Sequence, residues 1–141
     1  MRDERLEGER WLRQAENDLA FGRLALRERF FSQACFVAQQ CAEKALKSIA
    51  YGSGDRLVVG HSLVELVDRL RDRVPALADL REIAGILDQY YIPTRYPNGL
   101  AGGVPFEAFG GRQAREAIEG AERFVGVATE WARGRGGAAT L

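Results

Sequence analysis

The chain has 141 residues, 46% of them hydrophobic, and its 20 basic and 20 acidic side chains cancel to a net charge of zero. That length suits one domain with enough interior to fold without metal or disulfide staples, and zero net charge disfavours duplex-DNA binding by a broad basic face. No apolar run approaches the roughly 20 residues that span a bilayer, and the charged N-terminus MRDERLEGERW lacks a signal peptide's apolar stretch, so a cytoplasmic location is expected.

Residues 3–29 read as a long helix with Leu12, Ala15, Leu19, Gly22 and Leu26 on one stripe. A second helix is expected from about Phe31 to Tyr51. Its Ala34, Ala38, Cys41, Ala45 and Ser48 recur at three- and four-residue steps, and such small residues let a neighbouring helix approach closely. This helix should therefore be central, with Gly52, Gly54 and Asp55 ending it. Cys35 and Cys41 stand about 9 Å apart along its axis, too far for a mutual disulfide, and read as small core residues. One histidine and no further cysteine exclude the usual zinc spacings, so no metal or cofactor is expected.

Ser62-Leu63-Val64-Glu65 fits a capping box and opens a short third helix to about Arg73, burying Leu63, Leu66, Val67 and Leu70. Pro75 suits the first turn of a fourth helix, which carries Leu80, Ile83, Ala84 and Leu87 and stops at Pro93. Residues 94–109, with Pro97, Gly99, Gly102, Gly103 and Pro105, form the one long connection, and long ordered loops are often functional. The last helix, about 112–131, buries Ala117, Ala121, Phe124, Val125, Ala128 and Trp131. No β-period segment appears. The expectation is an all-α, single-domain up-and-down helical bundle of about five helices over residues 1–132, with 133–141 a disordered tail.

Lys44 and Lys47, on the second helix, are the only lysines; every other basic residue is arginine. Gln40, Glu43, Lys44 and Lys47 share one face. They form either a solvated surface with weak Gln40–Lys44 and Glu43–Lys47 pairs or a source of phosphate-neutralising ammonium groups. His61, just before the capping Ser62, is either a loop anchor bonding a backbone carbonyl or a phosphate donor and proton carrier. Arg95 is either a bidentate phosphate ligand beside a stacking Tyr96 or half of a carboxylate bridge pinning the loop, with Tyr90, Tyr91 and Tyr96 as packing.

The order AQQCAEKALK, GHSLVEL, YYIPTRYPNG, with Trp11 and Asn17-Asp18-Leu19 upstream, resembles the HEPN domain family over nearly the whole chain. The resemblance implies a small helical bundle that usually forms homodimers or higher oligomers. It also implies nucleotide or RNA binding, often beside a small nucleotidyltransferase partner in toxin–antitoxin-like modules. Lys44, Lys47, His61, Arg95 and Tyr96 are the candidate nucleotide- and phosphate-binding residues. Many members are metal-independent ribonucleases with an Arg followed, after four to six residues, by a His. Nothing after Arg95 is a histidine, and Arg56–His61 has the spacing but lies too early in the chain. A catalytic pair would have to be His61 and Arg95 from separate loops. The leading expectation is a nucleotide- or RNA-binding protein; the alternatives are a ribonuclease and a pure protein-interaction module.

Overall fold

The computed structural model describes residues 3–140, and their side chains as far as Arg135. Six α-helices follow in order: α1 (Glu4–Arg27), α2 (Phe31–Gly52), α3 (Leu63–Leu70), α4 (Arg81–Asp88), α5 (Pro105–Ala108) and α6 (Gly111–Thr140). Two short 3₁₀ turns, Pro75–Leu80 and Pro97–Gly99, join them, and there is no strand among the described residues. The expected fourth helix is thus split: a 3₁₀ turn begins at Pro75, and the α-helix ends at Asp88, before Pro93. The long connection holds its own turn of helix at Pro105–Ala108. The last helix runs past Trp131 to Thr140, where the sequence suggests a tail from residue 133; Leu141 lies outside the described residues.

Helix α2 is the axis of the fold, packed along α1 and α6 and also touching α3, α4 and α5. Its seam of Ala34, Ala38, Cys41, Ala45 and Ser48 is buried throughout. Glycines deepen the approach: a Cβ on Gly8 of α1 would lie 2.8 Å from the Ser48 carbonyl oxygen and 2.9 Å from Gly52 Cα. Both thiols are buried and free, and the Cys41 thiol donates to the Ala15 carbonyl.

The helix ends explain how the connections are aimed. At the end of α1, Phe30 N–H donates to the Ala25 carbonyl and Arg29 N–H to that of Leu26, with Arg29 at φ 67°. The end of α2 repeats this Schellman pattern with Gly54 at φ 105°, where glycine carries no Cβ penalty. Asp55 then binds Arg69 and Arg73 of the α3 region, and Val58 N–H donates to the Tyr51 hydroxyl. These contacts tie the segment before His61 to the bundle.

Candidate functional site

The start of α3 carries one half of the site. Ser62 Oγ accepts from Glu65 N–H, as the capping box requires. The carboxylate that completes the cap comes from α4: Asp88 accepts from Leu63 N–H at 2.8 Å, Val64 N–H at 3.2 Å and the Ser62 hydroxyl at 3.0 Å. A carboxylate at a helix N-terminus satisfies orphan amides and complements the helix dipole. It also ties the start of α3, directly after His61, to the end of α4 that leads into Tyr90–Tyr96.

That turn is held by its own backbone bonds: Arg95 N–H and Tyr96 N–H both donate to the Ile92 carbonyl, and the buried Thr94 hydroxyl donates to the Tyr90 carbonyl. Tyr90 points inward, edge-on to Phe109. Burial pushes its phenol above the ordinary range, the opposite of what a tyrosine base requires. Tyr91, only part-buried, is the platform of the site. The His61 ring stacks on it with centroids 4.9 Å apart and an interplanar angle of 20°. The Arg95 guanidinium lies 4.7 Å from the same ring, 4.3 Å from Phe36 and 5.1 Å from Tyr96.

Arg95 does not form the carboxylate bridge allowed by the sequence. Its Nε donates to the Tyr91 carbonyl at 2.8 Å, and no carboxylate pairs with it among the described residues. Aromatic faces favour a cation electrostatically without neutralising it. The guanidinium is therefore oriented without a carboxylate partner among the described residues.

On α2, residues 36, 40, 43 and 47 follow one another at helical spacing along the face that meets this platform. Glu43 and Lys47 pair at 3.1 Å, each only 6% exposed. This pair is buried, not the solvated contact that the i,i+4 spacing suggested. The second Glu43 oxygen lies 3.0 Å from His61 Nδ1. Gln39, fully buried, donates to the His61 carbonyl at 2.8 Å and accepts from Gln40. Lys44 does not meet Gln40; it turns to Asp18 of α1.

The five residues singled out in the sequence therefore fall into one connected group and one neighbour. Lys47, His61, Arg95 and Tyr96 are linked through Glu43 and Tyr91. Lys44 borders a separate open groove of about 710 Å³ with Glu7, Arg10, Trp11, Arg13, Gln14 and Asn17. Both lysines have carboxylate partners, so neither is the free ammonium that phosphate neutralisation was expected to use. Phe36, Gln39, Tyr91 and Asp88 were missed as parts of the site. In the sequence Tyr91 reads only as packing beside Arg95, and nothing local marks Phe36, Gln39 or Asp88. Among the described residues no group of His, Cys, Asp and Glu could hold a metal ion, and no helix is long and apolar enough to cross a membrane.

A small helical bundle with a capped histidine loop against an Arg/Tyr turn defines the class, and comparison with known proteins defines the family. Residues 8–131 match the HEPN domain family, and the chain belongs to it. The crystal structure of TT1696 from Thermus thermophilus is 35% identical, with a TM-score of 0.83 over 88% of this chain and 97% of that one. ST0689, an archaeal HEPN homologue, is 36% identical, with a TM-score of 0.72 over 92% of this chain and 97% of that one. A HEPN domain protein of Thermotoga maritima, tm0613, shares the fold at 24% identity, with a TM-score of 0.69 over 86% and 96% of the two chains. No curated protein matches.

Proposed function

We propose that this HEPN protein binds a nucleotide or RNA phosphate at the Tyr91 platform. The observation that carries the reading is Arg95, an oriented guanidinium with no carboxylate partner among the described residues, packed against Phe36, Tyr91 and Tyr96, with the exposed His61 ring stacked on the same Tyr91. A guanidinium offers several N–H donors in a fork that matches a phosphate. Tyr96, half exposed, offers a face on which a base stacks. In this reading Arg95 holds the phosphate, Tyr96 stacks and His61 lines the cleft. Lys47 acts indirectly, by holding Glu43, and Lys44 shapes the flank. The family setting supports a protein partner of the nucleotidyltransferase kind and a cytoplasmic homodimer. Titrating a nucleoside monophosphate into the labelled protein and following aromatic NMR shifts tests the site. Shifts concentrated at Phe36, His61, Tyr91 and Tyr96 are expected; shifts confined to Trp11 and its groove would move the site elsewhere.

The second reading is a metal-independent ribonuclease, and the Glu43–His61 hydrogen bond is what favours it. A carboxylate behind an imidazole orients a general base, and Arg95 would stabilise charge at phosphorus. Incubation with unstructured RNA in the presence of a chelator decides between them. The binding reading expects little or no cleavage; cleavage abolished by His61→Ala with the fold retained establishes the nuclease.

A further inference from the structure

The side chain of His61 is 57% exposed, yet it is constrained from three directions. Nδ1 lies 3.0 Å from Glu43 Oε1, the ring stacks on Tyr91, and the backbone carbonyl is held at 2.8 Å by Gln39. The carboxylate behind it is constrained as well. Lys47 Nζ donates to Glu43 Oε2 at 3.1 Å, and the Lys47 ammonium rests 5.8 Å from the Trp11 ring centroid, within a pair closed off from water. A carboxylate is acceptor-only. A neutral imidazole has one N–H and one bare nitrogen, and the partner of one nitrogen sets the state of the other. With Nδ1 turned to Glu43, the proton belongs on Nδ1, and Nε2, across the ring, is left as an acceptor.

We propose that Glu43, held by Lys47, is a positioning residue that fixes His61 in the Nδ1–H tautomer and presents Nε2 as a hydrogen-bond acceptor at the Tyr91 ring that Arg95 also contacts. The isolated histidine side chain prefers the opposite tautomer, with the proton on Nε2, so the buried pair reverses the intrinsic preference. The Tyr91 platform then carries two complementary groups: a guanidinium for an anionic oxygen and a bare imidazole nitrogen for a hydroxyl donor. The proposal deepens the binding-site reading above and rests on it only for the ligand, since the tautomer is a property of the free protein.

The single histidine makes the test direct. In ¹⁵N-labelled protein one pair of imidazole nitrogens is observed, and it is followed with rising pH until the two shifts no longer change. The expected result is a protonated-type shift at Nδ1 and a bare-type shift at Nε2. In the double variant Glu43→Leu/Lys47→Met the pair is replaced by apolar side chains of similar size, an exchange that buried ion pairs commonly tolerate. Its tautomer balance is expected to revert towards Nε2–H. Affinity for a single-stranded RNA oligonucleotide is expected to fall roughly threefold to tenfold, as for loss of one hydrogen bond, with His61→Ala adding no further loss in that background. A wild-type ring protonated on Nε2, or a balance unchanged by the double variant, overturns the proposal. Should the double variant fail to fold, the wild-type spectrum alone still decides. Because the spectrum needs no ligand, an Nδ1–H ring in a protein that binds no RNA would sink the binding reading and leave the positioning role of Glu43 standing.

Discussion

Glu43→Ala should be among the most destabilising single changes available on the surface-facing side of α2. It strips the Lys47 side chain, 8% exposed, of its carboxylate partner. Removing one partner of a buried pair costs about 3–5 kcal/mol, because the remaining charge is neither hydrated nor compensated. At this depth, screening by solvent gives little relief. Asp18→Ala is the matched control. It strips Lys44 of its partner in the same way, but Lys44 is 26% exposed and its ammonium can swing into the open groove. Exposed and part-exposed pairs contribute about 1 kcal/mol or less. Since domains of this kind are stable by about 5–15 kcal/mol, the first loss moves a urea midpoint far and the second only slightly. Equilibrium urea unfolding of the wild type and both variants, with m checked for constancy, measures the difference. Equal costs, or a Glu43→Ala cost below about 1 kcal/mol, would refute the claim that the Glu43–Lys47 pair is sealed from water.

Other consequences are equally specific. Burial pushes Cys35 and Cys41 up to about 12 from 9.0, so above pH 9 the unfolded chain sheds protons that the folded chain keeps. Stability should be complete below about pH 9 and fall as the pH rises towards 12, with a shallower fall in Cys35→Ala/Cys41→Ala, read from urea midpoints against pH. Gly8→Ala forces a methyl against the α2 backbone and should cost about 1–3 kcal/mol. Gly126→Ala enters open space in mid-helix and should gain about 0.5–1 kcal/mol, so thermal melting should move the two in opposite directions. Asp88→Ala removes the α4 half of the α3 cap, leaving Ser62, and should cost about 1–2 kcal/mol. Amide hydrogen exchange should quicken first at Leu63 and Val64.

The helices were legible because their signals are local. The alanine and cysteine spacing marked α2 as the central helix, and Ser62 with Glu65 marked the start of α3 to the residue. What escaped was long-range. Asp88 looks like any exposed acid at a helix end, and only the tertiary fold brings it to the amides of Leu63 and Val64. Glu43 and Lys47 read as a routine i,i+4 surface pair, because spacing alone does not say that Trp11 and the His61 loop will cover them. The fourth helix is shorter than Pro93 as a stop signal implies: it ends at Asp88, and residues 89–95 continue as turns. Arg95 and Tyr96 stood out by residue type, but the setting of Arg95 on Phe36 of α2 pairs positions about sixty residues apart in the chain.

Whether Arg95 holds phosphate is read from the affinity of a fluorescein-labelled single-stranded RNA for the wild type, Arg95→Ala and Arg133→Ala, followed by anisotropy at low and moderate salt. Arg133 is an exposed arginine paired with Glu130 on α6 and serves as the charge control. Loss of charge-assisted hydrogen bonds of about 1.5–3 kcal/mol predicts at least a tenfold weakening for Arg95→Ala, no change for Arg133→Ala and wild-type binding that falls with salt. Wild-type affinity retained by Arg95→Ala, or equal losses in the two variants, would contradict a phosphate site at the Tyr91 platform.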